Sequence, residues 1–278
     1  MSATRTAYVD GIGFWSAAWP HWSAARLALR SEAEGVPPAA AARPAPQRLA
    51  ANERRRAPDA VLLALEVAEQ ALAAAGLTDA DVVSVFASAH GDLPITDAMC
   101  RTLAQSPTLL SPTRFHHSVH NAASGYWAIA TGSHAASTAL AAFDGSFAAG
   151  LLEALCQCEA DAQPVLLAAC DTEARGPLLS VNRSRGELAM GLVLSPRRGP
   201  GSAWALEWWL QPGPAAPLCL HSGAAQALSG NASADALPLA EALARDAGAE
   251  LALPLGHQLS LQLCLRSLTG PRATAAQA

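Results

Sequence analysis

Side chains able to do chemistry are concentrated in a histidine-rich segment near the middle of the chain, FHHSVHN at residues 115–121. On a helix, His116 and His120 would stand four residues apart on one face, a spacing that can hold zinc. No Asp or Glu nearby completes such a site. The segment, with His117, can be read as a metal site, as polar loop residues, or as a source of hydrogen bonds across a dimer, and we expect no bound metal.

Hydroxyl and carboxylate groups in the following segments form no complete catalytic pattern. Ser133 and Ser146 could attack an acyl thioester, but a serine hydroxyl needs an adjacent base. The sequence GSFAAG around Ser146 is also not a GxSxG elbow. Asp171 and Glu173 follow an apolar run, and the pattern favours a solvated loop for both.

The composition is that of one α/β protein without a nucleic-acid or secretory signature. Of 278 residues, 51% are hydrophobic and 15% are charged, the net charge is -5, and lysine is absent. The absence of lysine excludes Schiff-base chemistry and a P-loop, and no basic stripe is interleaved with aromatics. No apolar run suits a secretory signal or a membrane span. Six cysteines lie in apolar periodic segments, so we expect buried, reduced thiols in a cytoplasmic protein.

Hydrophobic periodicity predicts strands that alternate with helices, which indicates a layered sheet with parallel pairing. Helices are predicted at 53–77 (ended by Gly76), 95–105, about 120–131, 146–158 and 234–248. Strands are predicted at 7–12, 81–89, 163–170, 186–196, 202–212, 250–255 and 258–266, with a short central strand at 137–143. An Ala/Pro stretch at 36–47 reads as an exposed loop.

Five of these segments, in this order, resemble the N-terminal half of β-ketoacyl synthases of the thiolase superfamily. They are VDGIG at 9–13, RRRAPDAVLLALEVAEQALAAAGL at 54–77, HNAASGYWAIATG at 120–132, SFAAGLLEALCQCEADAQPVLLAACDTEA at 146–174 and GELAMGLVLSP at 186–196. The resemblance implies a single-domain, thiolase-like α/β fold, a layered mixed sheet with helices on both faces. The ketosynthase-like half would cover residues 1–197, and a strand-helix-strand extension at 198–278 would pack on the same core.

Two further segments resemble a compact ketosynthase-like branch found beside full ketosynthases in clusters for aryl polyene and xanthomonadin-type pigments. These segments are FASAHGDLPITDAMCRTLAQ at 86–105 and SPTRFHHSVHNAASGYW at 111–127. The finer resemblance implies a role in type II fatty-acid or polyketide-like biosynthesis.

The resemblance also implies where a nucleophile should stand. A condensing enzyme places a thiolate at the N-terminus of a buried helix, where the helix dipole and backbone N–H groups activate it and stabilise an oxyanion. Counted without gaps from HNAASG, that position is Asp144, and a slip of one or two residues reaches Phe143, Gly145 or Ser146. None of these is cysteine. We expect Asp144 to cap the following helix rather than to act on a substrate.

A second element of the family's chemistry is missing as well. Ketosynthases decarboxylate malonyl units with two histidines of their C-terminal half, one of them in a His-Gly-Thr-Gly-Thr segment. No such segment follows residue 197. His221 and His257 stand alone, and we expect exposed loop or strand-end positions for both.

The resemblance therefore implies a catalytically silent, chain-length-factor-type subunit that pairs with a full ketosynthase, serves carrier-protein thioesters indirectly and needs no cofactor. The expected interface or tunnel residues are Phe115, His116, His117, His120, Asn121, Tyr126 and Trp127. Core packing would explain Tyr126 and Trp127 equally well. Two alternatives stay open: an acyltransferase or thioesterase-like enzyme that uses Asp144, Ser146 or Ser133, and a structural homodimer.

Overall fold

A computed structural model describes residues 5–31, 43–77, 82–182, 184–217 and 219–268. The strands are β1 (Arg5–Ser16), β2 (Val83–Ala87), β3 (Ser137–Leu140), β4 (Val165–Asp171), β5 (Leu188–Ser195), β6 (Trp204–Pro212), β7 (Ala249–Pro254) and β8 (Leu259–Ser267). The helices are α1 (Trp22–Arg30), α2 (Ala51–Arg56), α3 (Asp59–Ala74), α4 (Leu93–Gln105), α5 (Pro112–Ser118), α6 (Ala122–Thr131), α7 (Ser146–Asp161), α8 (Gly223–Leu228) and α9 (Leu237–Arg245).

The strands form one mixed sheet in the order β3-β2-β4-β5-β1-β6-β8-β7. β2 is parallel to β3 and to β4, whereas β5 is antiparallel to β4 and to β1. The extension adds β6, β8 and β7 through antiparallel pairing that starts on β1. The predicted fold class, a layered thiolase-like sheet with helices on both faces, is confirmed.

Two hydrophobic clusters lie on the two faces of the sheet. One contains α3 and Trp127 of α6 packed on β4 and β5. The other contains Phe147, Leu151 and Leu155 of α7 together with side chains of α1, α9 and the strands on both sides of β1. Pro254, at the end of the far edge strand β7, comes against Gly145 at the start of α7. The sheet therefore curls over the N-terminus of α7.

Helix α3 approaches the sheet closely because glycines lie beneath it. A Cβ atom on Gly13 of β1 would lie 2.2 Å from the Val67 carbonyl oxygen of α3, and one on Gly191 of β5 would lie 2.4 Å from the same oxygen. Both distances are far below van der Waals contact, so only glycine fits at these two positions.

Two expectations from the sequence need correction, and a third agrees with the structure where it is described. The predicted helix at 53–77 is two helices, because Pro58 disfavours helical backbone at Ala57, which is extended at ψ 144°. The short strand predicted as central is the edge strand β3, which pairs with β2 alone. The predicted loop at 36–47 is without helix or strand at 43–47, and its first part lies outside the described residues.

None of the helices in the described ranges combines the length and apolar character that crossing a membrane requires.

Replacing Gly191 by Ala should destabilise the fold by about 1–3 kcal/mol, the usual cost of overpacking, because α3 must move off the sheet. Urea unfolding followed by circular dichroism measures this change. Gly201→Ala is the matched control, since a Cβ atom there meets nothing within 4 Å. Equal stability of the two variants would contradict the close approach.

Candidate functional site

The turn between β3 and α7 contains Asp144, the residue that the sequence resemblance assigns to the nucleophile position. Phe143 takes the left-handed conformation there, at φ 55°, and its side chain is 67% exposed. Ser146 Oγ donates to the Phe143 carbonyl at 2.7 Å and accepts from the Ala142 N–H at 2.9 Å. A strained strand-to-helix turn that presents one side chain is the geometry of a nucleophile elbow. The side chain presented here is a phenyl ring.

The prediction that Asp144 caps α7 is wrong. The N-cap residue of α7 is Gly145, which makes no side-chain hydrogen bond, because the 3-10 turn Phe143–Gly145 places Asp144 before the helix begins. The cap comes instead from the extension: Oδ2 of the buried Asp235 accepts from the Ala148 N–H at 2.9 Å. The Ala148 N–H in the first turn of α7 is thus bound by a carboxyl group of the same chain.

Burial raises the pKa of Asp235 to about 8, and the nearby negative charge of Asp171 acts in the same direction. The Asp235 side chain is therefore largely protonated at neutral pH. Its Oδ1 atom is buried and has no hydrogen-bond partner among the described residues.

Asp171 is fully buried, which corrects its prediction as a solvated loop residue. It lies at the end of β4 and accepts hydrogen bonds from Ser88 Oγ at 2.8 Å and from Ser233 Oγ at 2.7 Å. The N–H groups of Ala89 and His90 also donate to it, each at 3.1 Å. Burial raises the pKa of this carboxyl group. Asp171 joins the ends of β2 and β4 to the extension, a role that its sequence context did not reveal.

The hydroxyl and thiol groups near the turn are not set up for attack. Ser146 is 1% exposed, and its Oγ is bound to backbone on both sides of Phe143. Burial raises the pKa of Cys158 to about 12 and also raises the pKa of Cys170. The Cys156 residue is exposed as a whole, but partial desolvation of its thiol raises that pKa as well. Since only a thiolate attacks efficiently, a raised pKa makes these three thiols poor nucleophiles. The expectation that the cysteines are all buried is wrong for Cys100, Cys156 and Cys219, which are exposed.

The histidine-rich segment forms hydrogen bonds rather than a metal site. His120 lies between α5 and α6, so the helical four-residue spacing with His116 does not exist. His120 Nε2 lies 2.9 Å from the Ser88 carbonyl oxygen, and His117 Nε2 lies 2.9 Å from the Tyr126 hydroxyl. Burial lowers the pKa of His117 and so favours the neutral ring. Within the described ranges, no three His, Cys, Asp or Glu residues are placed to hold a metal ion.

The expected interface set divides into exposed and buried members. Phe115 is 59% exposed. His116 and Asn121 are also exposed, and both line a groove of about 430 Å³ beside α6. Trp127 is only 2% exposed, since it packs on Phe86 within its own chain. It is therefore removed from the candidate interface. Sequence reasoning missed Ile129 of α6, which is 83% exposed.

His221 and His257 are exposed and lie outside helices and strands, in agreement with the positions expected from the sequence.

The fold and the elbow together define a condensing-enzyme-like protein. The sequence pattern of the β-ketoacyl synthase N-terminal domain matches residues 19–256, and the chain belongs to that family. No curated protein sequence matches the chain.

Solved structures of similar fold cover nearly the whole chain. A chain of the ketosynthase ApeO in complex with its chain length factor ApeC, from Xenorhabdus doucetiae, aligns at TM-score 0.68 and 20% identity over 93% of this chain and 99% of that one. The ishigamide ketosynthase/chain length factor aligns at TM-score 0.70 and 14% identity, over 94% and 99%. A β-ketoacyl synthase from Burkholderia phymatum STM815 aligns at TM-score 0.68 and 13% identity, over 95% and 100%.

The raised pKa of Asp235 predicts a specific pH dependence of stability. A carboxyl group whose folded pKa lies above its unfolded value of 3.8 destabilises the fold progressively as pH rises from about 4 to about 8. Asp235→Asn should remove this loss, so the variant gains stability relative to the parent across that window. Urea unfolding at several pH values measures the difference.

Asp144→Asn is the matched control, since that exposed carboxyl group lies on the turn before α7 but does not cap the helix. Its difference from the parent should stay within about 0.5 kcal/mol at every pH, as is usual for surface changes. A flat difference for Asp235→Asn between pH 4 and 8 would show that burial of Asp235 has been misjudged.

Proposed function

We propose that the chain is a catalytically silent, chain-length-factor-type subunit that pairs with a full β-ketoacyl synthase. One observation carries the proposal: the turn before α7 presents Phe143 and Asp144 and has no cysteine at residues 143–146. An acyl thioester would therefore meet no thiol there. The Ala148 N–H near the start of α7 is bound by Asp235, so this N–H is not free to stabilise an oxyanion. A subunit of this fold without a nucleophile can still act through its surface.

The reaction served is decarboxylative condensation on the partner. The partner's cysteine thioester and a malonyl thioester on carrier protein give a β-ketoacyl thioester, carbon dioxide and the free cysteine thiol. This chain would add walls to the partner's cavity and limit the growing chain, as in aryl polyene-type biosynthesis. The resemblance of two sequence segments to that branch and the shared fold of the ApeO and ApeC complex support the assignment.

The surface proposed for the partner consists of the edge strand β3 and the exposed side of α6. β3 offers its outer backbone groups for pairing, and unpaired apolar edges of this kind invite another strand. Three exposed residues follow one another at four-residue spacing along α6: the N-cap residue Asn121, then Gly125 and Ile129. Phe115 of α5 adds a second exposed apolar side chain.

The glycine at position 125 independently supports this surface as the site where the partner binds. Glycine inside a helix costs about 0.5–1 kcal/mol relative to alanine. At Gly125 the chain gains nothing in return, because a Cβ atom there would meet no atom within 4 Å. A close approach by the backbone of another chain explains why the position is open. The wide exposure of Ile129 one turn later supports the same explanation.

An alternative enzyme that uses Asp144 or Ser146 is disfavoured by the geometry. Ser146 is buried and engaged with backbone, and neither residue has a histidine base among its hydrogen-bond partners. A structural homodimer on the same α6 and β3 surface remains the second candidate, and co-purification separates it from the ketosynthase pair.

The isolated chain should form no covalent acyl adduct and should not condense, because the elbow lacks a thiol. Incubation with acyl-carrier-protein thioesters followed by intact mass spectrometry tests this. An acyl mass shift on the isolated chain that disappears in Asp144→Ala or Ser146→Ala would overturn the silent-subunit assignment.

Gly125→Trp should abolish association with the ketosynthase, since its indole fills the space left for the partner's backbone. Co-expression with each full-length ketosynthase of the source organism, followed by light scattering, measures association. Gly125→Ala is the matched control, and it should raise the stability of the isolated chain by about 0.5–1 kcal/mol. If Gly125→Trp folds and associates normally, the interface lies elsewhere. A parent chain that forms only homodimers would favour the structural alternative.

A further inference from the structure

Phe143 is an aromatic residue held in an unfavourable backbone conformation with its ring in solvent. Its φ of 55° lies in the left-handed region, which costs a residue with a Cβ atom free energy, and its side chain is 67% exposed. Strained residues of this kind persist only where the surrounding structure holds them, and they concentrate at functional sites. The hydrophobic core does not account for this ring.

The backbone on both sides of Phe143 is fixed. Ser146 Oγ binds the Ala142 N–H and the Phe143 carbonyl, at 2.9 and 2.7 Å. Gly145 lies under the Pro254 carbonyl, where a Cβ atom would come within 2.5 Å of that oxygen. The turn therefore cannot relax by shifting toward the extension, and three separate contacts hold the backbone that carries the Phe143 ring.

The ring of Phe143 contacts His90, which is itself held in place. The two ring centroids lie 5.7 Å apart in an edge-to-face arrangement. The backbone N–H of His90 donates to the buried Asp171 carboxyl group at 3.1 Å. His90 follows the end of β2, and Phe143 follows the end of β3, which is parallel to β2. In open α/β sheets, ligands bind beyond the carboxyl ends of such strands. The two rings form a partly apolar surface at that edge, carried by backbone that is hydrogen-bonded at both residues.

We infer that Phe143, supported by His90, is the residue of this chain that limits the length of the acyl chain grown on the partner ketosynthase. The inference rests on the proposed function. The ligand is an apolar acyl or polyene chain, which favours the edge and face of an aromatic ring over a carboxylate or amide. Phe143 lies beyond the end of β3 rather than on the α6 surface, so it forms a wall of the shared cavity and is not an anchor of the interface.

Phe143→Gly tests this without a folding penalty from the backbone. Glycine readily adopts φ 55°, so the variant removes the ring and relieves the strain. The melting temperature of the isolated chain should stay equal or rise. Its dissociation constant from the co-purified ketosynthase should change by less than about threefold. The products on carrier protein, analysed by mass spectrometry, should be longer by one or more two-carbon units.

Phe143→Trp and Leu27→Ala complete the set. The larger indole should shorten the products, whereas Leu27, an equally exposed apolar residue on α1 (73%), should leave them unchanged. Parent-length products from the Phe143→Gly complex would overturn the inference. So would a loss of affinity above about tenfold with unchanged product length, which would make Phe143 an interface anchor. Failure of the parent chain to bind any ketosynthase is a different result and contradicts the proposed function itself.

Discussion

The structure depends on burying α7 beneath a curled sheet. Phe147, Leu151 and Leu155 of this helix are fully buried in a cluster that also contains side chains from the strands of the extension. A helix buried in this way cannot leave its first N–H groups to water, so a polar group must reach them. Asp235 does so from the extension, at 2.9 Å from the Ala148 nitrogen. The cap of α7 is therefore in place only when the extension packs against this helix.

The same contact joins the start of α7 to the extension in the folded chain. The Asp235 carboxyl group of the extension binds the Ala148 N–H, and burial raises the pKa of Asp235 to about 8. Phe143, on the turn before the helix, stays exposed to solvent.

Asp171 links these two regions. It holds Ser88 and His90 at the end of β2 and Ser233 in the turn before Asp235, so the wall beside Phe143 and the cap of α7 share one buried carboxyl group. Because each of its partners is buried or nearly so, loss of Asp171 would leave several polar groups unsatisfied at once. The geometry of the elbow rim is thus coupled to the packing of the extension.

The order of the strands, the family and the lack of a thiol at residues 143–146 were determined by the sequence, because periodicity and local residue types carry that information. The short helices α1, α5 and α8 were not predicted. The tertiary structure alone decided which residues make the buried polar contacts. Asp235 caps α7 from almost 90 residues away, and Asp171 is buried between segments that precede it and segments that follow it in the chain. Trp127 and Ile129 are both apolar residues of α6, yet one is in the core and the other in solvent. Their fates depend on long-range packing across the sheet, which no local pattern in the sequence specifies.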